Sequence, residues 1–142
     1  MRRGFTLIEM ATVLVVIGVM AGLAVPRVGG YMDWLAVNRA EAETAAFYNR
    51  ARIAAVYRAV RVRIEFTGDS LVAIAEGQID SVVGRMPGPE RFGVAFVASR
   101  TEIRLYPNGL GLGAANTKLV FRRGAAADSL TISRLGRIRR WP

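Results

Sequence analysis

The apolar residues of this chain fall into three regimes: one unbroken run, one helical stripe, and a series of short alternating segments. After Met1-Arg2-Arg3-Gly4, residues 5–25 read FTLIEMATVLVVIGVMAGLAV, with Glu9 the single charge among them. Coiled as an α-helix, such a run is about 31 Å long, close to the roughly 30 Å hydrocarbon thickness of a bilayer. Pro26 and Arg27 end it. From Arg27 to about Ala59 there is no proline, and the only glycines are the pair Gly29-Gly30. Leu35, Ala42, Ala46, Ile53, Tyr57 and Val60 recur there at spacings of three, four and seven, which is a helical stripe. This predicts that the first helix continues, bent at the glycine pair, and lays that stripe against the rest of the protein.

The remainder reads as strands. Val60 to Phe66 alternates apolar and charged residues, the signature of a half-buried strand. Gly68-Asp69 is a turn, and Leu71 to Ala75 a second strand. Gly84 to Arg91, rich in glycine and proline, reads as a loop. Further strands are expected at 92–98, 101–106, 118–122 and 129–133, with a strong turn at Pro107-Asn108-Gly109. The fold class is therefore α+β: a long N-terminal helix, half membrane-spanning and half amphipathic, packed on a small antiparallel sheet. The expected divisions are a short basic segment at 1–4, an apolar transmembrane helix at 5–26, its amphipathic continuation at 27–60, and a β-rich head at 61–142. A head that small is marginal alone and must draw on the helix for its core.

Composition narrows the chemistry. The 142 residues include no Cys and no His. That removes thiol nucleophiles, imidazole bases and the commonest metal ligands together, so neither an enzyme nor a metal site is expected. Gly109, Gly111 and Gly113 precede no helix, so a nucleotide fingerprint is not indicated. No cofactor and no small-molecule substrate are expected. The net charge is +9, carried almost wholly by Arg, with Lys118 the one lysine. It permits binding to an anionic partner without requiring one.

Glu9 separates the readings of the N-terminus. The apolar run is longer than that of a secretory signal, and an amphipathic stretch follows it. A plain membrane anchor would leave unexplained a carboxylate in a segment where ionisable groups are costly and usually functional. Gly4-Phe5-Thr6-Leu7-Ile8-Glu9 resembles the type IV prepilin cleavage and methylation motif: a short basic leader ending in Gly, then Phe, then Glu five residues into the mature chain. The resemblance implies cleavage between Gly4 and Phe5 by a prepilin peptidase and N-methylation of Phe5. It also implies that Glu9 neutralises the Phe5 amine of a neighbouring subunit during assembly with other pilins. Gly18, Gly22 and Pro26 match the family too, as a stretch where the helix can unwind in a filament; Gly18 and Gly22 equally suit a small-residue packing surface. Arg2 and Arg3 favour a cytoplasmic N-terminus, with the head beyond the bacterial inner membrane.

Within the pilin-like proteins, the layout resembles the GspH/FimT group. Ala51 to Ile64, Tyr106-Pro107-Asn108-Gly109 and Leu130 to Arg139 carry that likeness. It implies a structural subunit of a type II secretion pseudopilus or a type IV pilus. Members on the FimT side are linked to DNA uptake through a C-terminal Gly-Arg-x-Arg, present here as Gly136-Arg137-Ile138-Arg139. From Arg122 to Pro142 there are six Arg and one acidic residue, Asp128. A second function class is therefore DNA binding, with Arg137, Arg139 and Arg140 meeting phosphates and Trp141 stacking on a base. The alternative for these side chains is a solvated basic edge that discourages strand pairing.

Overall fold

The structure, a computed structural model, describes residues 5–113 and 116–141, and the side chains of all of these except 24–27. Helix α1 spans Leu7–Arg58. Among the described residues eight strands follow: β1 Arg61–Phe66, β2 Ser70–Glu76, β3 Ser81–Pro87, β4 Ala95–Ala98, β5 Glu102–Leu105, β6 Thr117–Arg123, β7 Ala126–Ile132 and β8 Ile138–Trp141. The α+β class expected from the sequence is the one observed, but the strands form two four-stranded antiparallel sheets, in orders β3-β2-β1-β5 and β4-β6-β7-β8. The compact head unit begins within the helix, at Asp33; residues up to Met32 form a separate unit.

Two strands exceed the expectation. β3 takes in residues 84–87, the first half of the segment read as a loop from its Gly and Pro; the second half, from Gly88, is not in a strand. It is an edge strand, where a terminal proline such as Pro87 forfeits no ladder bond. Gly84 lies under the Phe47 ring, which is 3.5 Å from where its Cβ would be, an ordinary van der Waals contact. β8 is absent from the strands counted by alternation because Ile138-Arg139-Arg140-Trp141 shows none; the extended strand expected to carry Arg137 and Arg139 is there, but it begins at Ile138, after Arg137.

The helix face that packs on the head is not the expected one. Leu35, Ala46, Ile53 and Tyr57 are exposed, Tyr57 at 89%. The buried face is Val37, Ala40, Glu41, Thr44, Ala45, Phe47, Tyr48, Ala51 and Ala55. Its four alanines let the strands approach closely, and its two polar members disguise it in a hydrophobicity pattern. Thr44 is accommodated because its hydroxyl donates to the Ala40 carbonyl at 2.8 Å. These residues share one core with Val62, Ile64 and Phe66 of β1, Leu119 and Phe121 of β6, and Leu130 and Ile132 of β7.

Ala59 terminates α1 in the left-handed region, at φ 52°. The Val60 N–H donates to the Ala55 carbonyl and the Ala59 N–H to the Val56 carbonyl, each at 3.2 Å. This is a Schellman cap with alanine where glycine is usual.

Candidate functional site

The N-terminal unit is a helix with its side chains in the open. From Phe5 to Leu23 every described residue is exposed, and the stretch is long and apolar enough to cross a membrane. Glu9 has a local partner that the sequence reading missed. The Thr6 N–H and hydroxyl both donate to one Glu9 carboxylate oxygen at 2.8 Å, and the Glu9 N–H donates to the Thr6 hydroxyl at 3.3 Å. Thr6-Leu7-Ile8-Glu9 is thus a reciprocal capping box, which satisfies otherwise orphaned donors at the start of α1. The threonine three residues before the glutamate was the available signal. Glu9 is therefore not wholly unexplained in a lone chain, although one carboxylate oxygen remains outside this arrangement.

Gly18 and Gly22 face open space, with no neighbouring atom within 4 Å of a Cβ position. The backbone is helical through Gly18, Gly22, Pro26 and the Gly29-Gly30 pair in this single chain, with no break at any of them. Gly4 and the leader at 1–4 lie outside the described residues, as does the Pro26 side chain.

At the other end of the chain, pairing registers sort the C-terminal residues by face. Leu130 pairs with Arg140, Ser129 with Trp141, and Thr131 with Arg139. Leu130 is in the core, so Arg140 turns toward α1, while Arg139 and Trp141 share the outward face. The Arg139 guanidinium lies over the Trp141 ring at 4.8 Å. Arg137 stands just before β8 in a tight turn, its N–H bonded to the Ser133 hydroxyl at 3.1 Å. The four candidate DNA contacts are therefore not one cluster, and Arg140 is separated from the rest.

Arg140 meets Glu41, a residue the sequence reading passed over. Its Nε lies 3.6 Å from a Glu41 oxygen whose side chain is 3% exposed. That oxygen has no hydrogen-bond partner. Burial pushes the Glu41 carboxyl above its usual range, the Arg140 charge pulls it back, and nearby Asp128 pushes it up again. The signal was spacing: Val37, Glu41, Thr44, Tyr48, Ala51 and Ala55 recur every three or four residues.

The turn at Tyr106–Gly109 and the turn at Gly136 meet at one side chain of α1. Arg52 Nε donates to the Gly109 carbonyl at 3.0 Å. Its guanidinium also packs over Gly136, leaving 2.8 Å to a Cβ there. Both glycines have positive φ, 76° and 78°. The Tyr106–Gly109 turn closes through the Gly109 N–H to the Tyr106 carbonyl at 2.8 Å. Among the described residues, no group of three or more Asp or Glu is placed to hold a metal.

Comparison with known proteins agrees at both levels. Residues 1–25 match the family described as the prokaryotic N-terminal methylation motif. The fold is similar to crystal structures of the type IV minor pilin FimU of Pseudomonas aeruginosa in two crystal forms. One has a TM-score of 0.62 at 19% identity, covering 75% of this chain and 88% of that one. The other has a TM-score of 0.60 at 20% identity, covering 74% and 92%. No curated protein matches the chain by sequence. The N-terminal motif and the fold are both pilin-like.

Proposed function

We propose that this pilin-like chain is a minor filament subunit, a pseudopilin or minor pilin. A prepilin peptidase cleaves it between Gly4 and Phe5, Phe5 is N-methylated, and the mature chain assembles with other pilins through α1. Before assembly it sits in the bacterial inner membrane with its N-terminus cytoplasmic and its head outside. The observation that carries this reading is the exposure of every described residue from Phe5 to Leu23 beside the methylation motif. An apolar surface so large needs cover. Lipid supplies it first, and neighbouring helices supply it after cleavage. The filament is that of a type II secretion system or a type IV pilus. Co-expression with a prepilin peptidase tests the reading: loss of the four-residue leader is expected by mass, offset by one CH2 where Phe5 is methylated, and Gly4→Leu should abolish it. Full processing of Gly4→Leu would refute peptidase recognition at this site.

A second reading, nucleic-acid binding through Gly136-Arg137-Ile138-Arg139 and Trp141, is supported by one arrangement. Arg137 and Arg139 are exposed and have no acidic partner among the described residues. A gel-shift of DNA by the full chain in detergent, lost on Arg137→Ala plus Arg139→Ala, is the expected result. No shift by the wild type at low salt would end this reading.

A further inference from the structure

The registers that place Arg139 and Trp141 outward define a whole sheet face. Val97 pairs with Val120, Val120 with Ser129, and Ser129 with Trp141. Paired residues share a face, so these four make one row across β4, β6, β7 and β8. On one side of the row stand Lys118 and Arg139, joined through Thr131; on the other stands Arg122, paired with Ala95 and Ala127. Lys118, Arg122 and Arg139 are all exposed, and none has an acidic partner among the described residues. Among the described residues of these four strands the one acidic residue, Asp128, pairs with Phe121 on the inner side. Val97 is 66% exposed and Trp141 47%.

We infer that the outward face of the β4-β6-β7-β8 sheet binds single-stranded nucleic acid, with Lys118, Arg122 and Arg139 on phosphates and Trp141 stacked on a base. This rests on the nucleic-acid reading above and deepens it, because Lys118 and Arg122 lie outside the C-terminal segment. Charge complementarity selects an anion. The row between the cations, apolar at Val97 and Val120 and ending in an aromatic ring, selects an anion that also carries flat apolar groups. In a duplex the base faces are stacked on each other and the phosphates lie outside, so Trp141 would find no partner. A single strand offers both groups to a sheet surface. Lys118 and Arg122 lie four residues apart on β6, about 13 Å along the strand, and Arg139 is two strands from Lys118, about 10 Å across. The face therefore spans several nucleotides.

The test is fluorescence anisotropy of a labelled twenty-nucleotide oligothymidylate, a matched duplex and polyglutamate against the full chain in detergent. Three phosphate contacts imply a slope of about −2 in log K against log salt for a single strand. Lys118→Ala or Arg122→Ala should flatten that slope by about 0.7. Trp141→Ala should weaken single-strand binding about five-fold or more, with Trp141→Phe retaining most of it. The duplex should bind less tightly than the single strand. Circular dichroism should be unchanged in all four variants, since each side chain is on the surface. Absence of binding by the wild type at low salt overturns both nucleic-acid readings. Binding that Arg137→Ala weakens while Lys118→Ala and Arg122→Ala do not overturns the sheet face and leaves the C-terminal segment. Equal affinity for polyglutamate, or indifference to Trp141→Ala, overturns single-strand recognition.

Discussion

Arg140→Ala is the sharpest probe of how the last strand is held. The perturbation leaves Glu41, with a side chain only 3% exposed, without its cation. Unit charges at the observed 3.6 Å attract by about 5 kcal/mol at an effective dielectric of 20. Arg140 is itself 54% exposed, so water screens most of this, and a net loss of about 1–2 kcal/mol is expected at neutral pH. The loss has a definite pH dependence. Burial raises the carboxyl of Glu41 above 4.5, so the folded chain holds that proton to a higher pH than the unfolded chain does. The contribution of Glu41 to stability is therefore most favourable at acid pH and declines as pH rises through the folded value. Once Glu41 is protonated it needs no cation, and the cost of Arg140→Ala should vanish. The assay is urea unfolding of the full chain in detergent, followed by near-ultraviolet circular dichroism at neutral and acid pH. The same substitution is then made in a Glu41→Leu background, where no buried carboxylate remains. An equal loss in both backgrounds, or one independent of pH, would refute the ion pair as its source.

Four other outcomes follow from the geometry. Glu9→Gln keeps the capping box with Thr6 and removes the charge, so it should preserve helicity yet block filament incorporation; incorporation at the wild-type level, scored by cross-linking to neighbouring pilins, would leave the carboxylate with only its local role. Ala59→Gly should raise unfolding stability by about 1 kcal/mol, because glycine occupies the left-handed region without the Cβ penalty. Ile53→Asp should shift the urea midpoint by under about 0.5 kcal/mol equivalent, since Ile53 is 67% exposed; a large loss would mean the helix packs by the other face. Phe121→Ala, at a fully buried site, should cost about 3–5 kcal/mol and leave little folded head by the same assay.

The sequence was most readable where one physical rule acted alone. β1 alternates because one of its faces meets the core and the other water, and Tyr106-Pro107-Asn108-Gly109 turns because Pro and Gly supply its torsions. The reading failed where two rules competed. Large apolar side chains at Leu35, Ile53 and Tyr57 outweighed small ones at Ala40, Ala51 and Ala55 in any hydrophobicity pattern, although close approach to the strands favours the small ones. Gly84 and Pro87 signal a loop locally, whereas an edge strand beneath the Phe47 ring tolerates both. For the candidate sites, Gly4, Phe5 and Glu9 could be named from spacing because their motif is local. Glu41 could not, because its partner is 99 residues further along the chain, and only the fold makes them neighbours.

The turn from Ser133 to Arg137, between β7 and β8, decides which changes the last strand tolerates. Arg139 and Arg140 are adjacent and chemically identical, so either could supply the cation that Glu41 requires. Which of them does so depends on counting: Ile138 must fall opposite Ile132, and Gly136 must take its positive φ beneath Arg52. Adding a single residue in that turn would exchange the two arginines without altering either, and removing one would set Trp141 opposite Leu130 in place of Arg140; both drive Trp141 inward. Either arginine can be replaced without disturbing this register, whereas a change in the length of the five-residue turn re-sorts every side chain of β8 between the two faces of the sheet.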